Sequence, residues 1–98
     1  MGRREAKEVP RVASDAAAYI GKRIAEQRGL AGFTQDQLAV AASIDSSNLR
    51  AYESGRSMPN IRLLVRIATA LGIEPGVFLR GLTPEVFGDA VESARRAG

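Results

Sequence analysis

Residues 34–55 read TQDQLAVAASIDSSNLRAYESG. The side chains with chemistry to offer crowd into the second half of this block: Ser46, Ser47, Asn48 and Arg50, with Ala51 beside them. Hydroxyls, a carboxamide and a guanidinium supply donors and acceptors suited to base edges and to phosphates. Ser and Ala are also short, so a helix that carries them can enter a groove without clashing, and Arg reaches furthest with a planar fork that matches two acceptors. The same pattern fits the solvated face of an ordinary helical bundle, and on spacing alone both readings stand.

Other chemistries are excluded more sharply. The chain has no Cys, His or Trp. Disulfide frameworks, thiol nucleophiles and Cys or His metal sites therefore fall away. So does the commonest general base, and with it a Ser–His triad. Carboxylates, Lys and Tyr remain, and they do not cluster. No enzymatic activity, no metal, no cofactor and no small-molecule substrate is expected.

Two short helices must hold the polar block in place. Thr34 and Gln37 stand at capping-box spacing, with Phe33 before the cap placed to staple onto Leu38, so a helix runs from there to about Ala42. Ser43-Ile44 makes a turn, Asp45 caps a third helix of about 46–54, and Gly55 ends it. Leu38 and Ala39 face inward from one helix, Leu49 and Tyr52 from the other. The small Ala39 lets the two cross closely, which is a helix-turn-helix layout. Before them, Ser14 caps a helix of about 15–30 with Ala17, Ile20 and Ile24 at 3–4 spacing, stopped near Gly32. After them, Asn60 caps a helix of about 61–71 whose apolar face is Ile61, Leu64, Ile67, Ala68 and Leu71, closed by Gly72. Pro75 opens a short fifth helix to Leu79 or Arg80, and Thr83-Pro84 opens a last one of about 84–96. No segment alternates with period two, so the chain reads as all-α.

The 98 residues carry a net charge of +3, with Arg supplying twelve of the fourteen cations. Arg suits phosphates and guanine edges, although a GC-rich genome produces the same bias. The charge is uneven. Residues 29–55 sum to −2, while residues 1–28 and 56–82 each sum to +3. The polar block itself therefore does not attract a polyanion, and phosphate binding falls to its flanks. No apolar run approaches a membrane span or follows Arg3 and Arg4 as a signal peptide would require, so a soluble cytoplasmic protein is expected.

From Ile20 to about Leu82 the chain resembles the phage-repressor-like (Cro/cI-type, XRE) helix-turn-helix family. The resemblance is carried by IGKRIAEQR at 20–28, FTQDQLA at 33–39, IDSSNLRAYESGRSMPN at 44–60 and LLVRIATALGIEPGVFL at 63–79. It implies a five-helix, lambda-repressor-like DNA-binding domain whose third helix reads the major groove of double-stranded DNA. Position by position, it assigns Ser46, Ser47, Asn48, Arg50 and Ala51 to bases or adjoining backbone. Thr34, Gln35, Arg56, Asn60 and Arg62 would bind phosphates, Gln35 helped by the helix N-terminus. Arg28 and Glu53 occupy positions that pair in many members, and would fix the third helix against the first. Three positions depart from the pattern: Ser43 stands where Gly is usual and must adopt a positive φ, Val40 and Ala41 replace polar residues on a surface that could serve as a contact, and Glu74 is a poor N-cap.

The expected organisation is a flexible mixed-charge arm over 1–13, the DNA-binding domain over 14–82 and an additional C-terminal helix over 83–98. Phe78, Leu79, Leu82, Phe87 and Val91 form the expected homodimer contact, because a two-fold dimer doubles the site and demands an inverted-repeat operator. No separate sensor domain is expected. The leading reading is a bacterial or phage transcriptional regulator, expected to be a repressor, that occupies a promoter operator and acts by steric repression or by polymerase contact. The alternative is an antitoxin-like or accessory module that uses the same fold to hold a protein partner through Val40, Ala41 and the tail.

Overall fold

A computed structural model of the chain describes residues 14–88. Four α-helices stand among them: α1 (Asp15–Leu30), α2 (Gln35–Ala42), α3 (Ser46–Glu53) and α4 (Ile61–Leu71). Two 3-10 helices follow, Pro75–Leu79 and Pro84–Phe87, and no strand occurs among the described residues. The arm over 1–13 and Val91 lie outside the described residues.

The helix starts follow the capping residues. The Ser14 Oγ accepts from the Ala17 N–H at 3.0 Å. Thr34 and Gln37 form the complete capping box: the Thr34 Oγ1 accepts from the Gln37 N–H at 3.1 Å, and the Gln37 Oε1 accepts from the Thr34 N–H at 2.9 Å. The Asn60 Oδ1 accepts from the Leu63 N–H at 2.9 Å. Each bond satisfies a donor that the first turn leaves without a partner. Asp45 departs from expectation. It occupies the N-cap position of α3, but its side chain makes no capping bond.

The core gathers Ile20 and Ile24 of α1, Leu38, Ala39 and Ala42 of α2, Leu49 and Tyr52 of α3, and Leu64, Ile67 and Ala68 of α4. Full burial of each large side chain contributes about 1.5–3 kcal/mol. Ile61 does not join the expected apolar face. It is the first residue of α4 and is 66% exposed, before the helix has turned inward.

The short fifth helix runs from Pro75 to Leu79 as expected, and it is of the 3-10 type, since five residues before the extended Arg80 are too few to sustain an i→i+4 ladder. Two expectations for the C-terminal part are corrected. The last helix does not run unbroken from 84, because its first turn stops at Gly88 in the left-handed conformation (φ 85°). Phe78 is not a surface contact. The first 3-10 helix packs on α1 and α4, and Phe78 lies fully buried within the core of this single chain. Leu79 and Phe87 are exposed, and Leu82 is half-buried against the core.

Candidate nucleic-acid interface

The turn between α2 and α3 sets the placement of the polar block. The Ser43 N–H donates to the Val40 carbonyl at 3.1 Å and the Ile44 N–H to the Ala39 carbonyl at 2.9 Å, closing α2. Ser43 adopts the left-handed conformation, φ 59° and ψ 46°, at a cost of about 1 kcal/mol for a residue with a Cβ. Arg66 of α4 steadies the turn by donating from Nη1 to the Ser43 carbonyl at 3.3 Å.

Behind the block, α3 is clamped to α1. Gly21 is buried where the helices touch. A Cβ at this position would overlap the Tyr52 carbonyl oxygen and come within 2.7 Å of that of Glu53, so only glycine admits the approach. Arg28 then donates from Nε to Glu53 Oε2 at 2.7 Å and from Nη2 to Oε1 at 3.0 Å. Its Nη1 donates to the Phe33 carbonyl at 3.0 Å. Gln35 Nε2 donates to Glu53 Oε1 at 2.9 Å. The Glu53 side chain is 6% exposed and that of Arg28 22%. The Glu53 hydrogen bond pushes the Arg28 guanidinium further above its already high range; burial opposes this, and the carboxylate charge adds to it.

In front, Ser47, Asn48 and Arg50 are exposed on the outer face of α3, with Ser46 and Ala51 half-buried. Arg50 donates from Nη2 to Asp36 Oδ1 at 3.1 Å, which brings the first turn of α2 beside this face. Thr34 is exposed, and Gln35 is half-buried with its amide on Glu53. Arg56, Asn60 and Arg62 are exposed along the loop after α3 and the first turn of α4. Arg56 donates from Nε to Ser54 Oγ at 3.0 Å. Hydrogen bonds thus join Arg28, Gln35 and Glu53 into one cluster and Arg50 to Asp36. Among the described residues they join Arg56, Asn60 and Arg62 to neither group.

Sequence reasoning misses three features. Gly21 reads as an ordinary helical residue, although a glycine inside an otherwise good helix is the usual mark of a close backbone approach. Asp36 enters the sequence reading only as a charge. The third is a clamp on α1. Arg23 donates from Nη1 to the Val77 carbonyl at 2.9 Å and from Nη2 to the Tyr19 hydroxyl at 2.6 Å. Tyr19 in turn donates to the Arg80 carbonyl. The Arg23 guanidinium carbon stands 4.9 Å from the centre of the Tyr19 ring. Gly81 makes room, since a Cβ there would lie 2.7 Å from the Tyr19 hydroxyl.

A second surface is apolar. Leu30 and Val40 are 81% and 80% exposed, and an open groove runs between Phe33 and Val40 along α2. No described helix is long and apolar enough to cross a membrane.

Comparison with known proteins places this geometry in a family. A helix-turn-helix family model, HTH_3, matches residues 24–78. A multiprotein-bridging factor 1 of Eremothecium gossypii is 36% identical over 55 residues, which cover 56% of this chain and 36% of that protein. The chain therefore spans little more than a third of that curated relative. Among solved structures, the restriction-modification controller protein C.AhdI of Aeromonas hydrophila matches with a TM-score of 0.62 at 31% identity, covering 63% of this chain and 94% of that one. The clp gene regulator ClgR of C. glutamicum matches with a TM-score of 0.62 at 26% identity, covering 65% and 83%. With more than half its length matched by the family model and its α2–turn–α3 unit built as described, the chain belongs to the HTH_3 (XRE-type) helix-turn-helix family of DNA-binding transcription regulators.

Proposed function

We propose that the chain is a sequence-specific transcriptional regulator that lays α3 in the major groove of duplex DNA. One observation carries this reading: the small, polar, exposed face of α3 ends in a long cation, while the helix is clamped from behind by Gly21 and the Arg28–Glu53 pair. Ser46, Ser47, Asn48, Arg50 and Ala51 are assigned to base edges or the adjoining backbone. Thr34, Gln35, Arg56, Asn60 and Arg62 are assigned to phosphates, so that most of the attraction comes from outside the recognition helix. Two copies joined through the exposed Leu79 and Phe87 beside Leu82 would read an inverted repeat, and occupancy of that operator would repress transcription. The solved relatives named as a controller and a gene regulator support this reading.

A second reading is favoured by the exposed Leu30 and Val40 beside the groove on α2. The curated relative is named a multiprotein-bridging factor, and the same fold would then act chiefly as a docking module for another protein. Selection from a random duplex library at about 150 mM salt separates the two. Enrichment of an inverted repeat, with half-sites about one helical turn apart, supports the dimeric regulator. Recovery of no motif, with only weak salt-sensitive binding, favours the docking module.

A further inference from the structure

The pair between Arg50 and Asp36 has a use that neither residue has alone. We infer that Asp36 is a specificity determinant: it holds the Arg50 guanidinium by one edge, so that the other edge can read guanine but the cation does not settle on phosphate. This rests on the reading of α3 as the groove-reading helix.

A guanidinium carries five N–H donors in a fixed fork. The Asp36 carboxylate takes one of the two hydrogens on Nη2. Whichever hydrogen it takes, the other remains paired with a neighbouring N–H to form a complete two-donor edge. Guanine offers N7 and O6 side by side in the major groove and accepts such an edge without disturbing the carboxylate. A phosphate contact differs. The same edge can pair with phosphate oxygens, but a backbone contact brings Asp36, a negative charge on the exposed first turn of α2, up against a polyanion, whereas a base-edge contact in the groove keeps it further from the phosphates. The carboxylate thus penalises the non-specific mode and tolerates the specific one. The location supports this: residues 29–55 hold Arg50 as their single cation, and Glu53, one of the three carboxylates there, is already bound to Arg28.

The test uses the full chain, its selected duplex and a random duplex of equal length, with binding followed by fluorescence anisotropy across a salt series. Asp36→Asn is expected to tighten binding to random DNA and lower the preference for the selected site about tenfold. Its salt dependence on random DNA should steepen by about one further phosphate contact. Asp36→Glu, which keeps the carboxylate, should restore the preference. Asp45→Asn removes an equal charge from the turn next to α3 without touching Arg50, and should tighten both duplexes alike. In an Arg50→Ala background Asp36→Asn should leave the preference unmoved. Equal effects of Asp36→Asn and Asp45→Asn on the preference would overturn the inference. A wild-type chain without any preferred sequence would refute the groove-reading assignment itself, which is a separate outcome.

Discussion

Arg28 and Glu53, 25 positions apart, meet through two N–H···O bonds of 2.7 and 3.0 Å. The same guanidinium holds the Phe33 carbonyl, and the same carboxylate receives Gln35. Removal of either partner leaves the other charge largely buried and unmatched. Glu53→Ala is expected to lower the unfolding free energy by about 3 kcal/mol, and Arg28→Ala by a similar amount. The double variant should lose less than the sum of the two. Urea denaturation measures all three, and additive losses would show that the groups do not interact.

Gly21 and Gly29 lie in the same helix and should respond oppositely to alanine. At Gly29 an added Cβ would meet no atom within 4 Å, so Gly29→Ala should gain about 1 kcal/mol from helix propensity alone. At Gly21 the new carbon meets two backbone carbonyls that cannot swing aside. A net loss of about 2 kcal/mol is expected there. Thermal melts of the two variants decide it, and a raised Tm for Gly21→Ala would show that α1 and α3 have room to separate.

Features that depend on neighbours in the chain are legible in the sequence. Ser14, Thr34 with Gln37, and Asn60 cap because each bond spans three residues, and the left-handed Gly72 closes α4 for the same local reason. The inward set Leu38, Ala39, Leu49 and Tyr52 follows from helical period. What cannot be read depends on distance along the chain. Tyr19 and Arg80 are 61 positions apart, and nothing in either residue's neighbourhood announces the other. Phe78 reads as a surface contact because a five-residue helix has no readable period, and packing on α1 and α4 decides its direction. At the candidate interface the exposed residues of α3 are legible, but the bond between Arg50 and Asp36 is not.

Ser43 tests the turn. Its φ of 59° suits glycine, and its backbone contacts do not use the hydroxyl. Ser43→Gly should therefore stabilise the domain by about 0.5–1 kcal/mol, the relief of left-handed strain exceeding the extra freedom of the unfolded chain. Ser43→Val should destabilise it, because a β-branched residue is least tolerant of that conformation. Chemical denaturation gives both signs.

Arg50 and Arg56 should separate sequence reading from backbone attraction. Arg50→Ala is expected to relax base preference at one position, by about 1–3 kcal/mol of lost discrimination. Arg56→Ala should weaken selected and random duplexes alike and reduce the salt slope by about one. Equal losses on both duplexes for both variants would refute this division of labour.

α1 is fastened twice. Tyr19 and Arg23 hold the carbonyls of Arg80 and Val77, and nearer its end Arg28 holds Glu53 and Phe33. Helices of eight residues such as α2 and α3 have little stability of their own. Since α3 and the first 3-10 helix both pack on α1, α3 should not fray separately from the 75–82 segment. Slow amide exchange in α3 and in the first 3-10 helix should therefore share a single opening free energy, so that a loosened C-terminal segment is felt at the recognition helix as lost cooperativity.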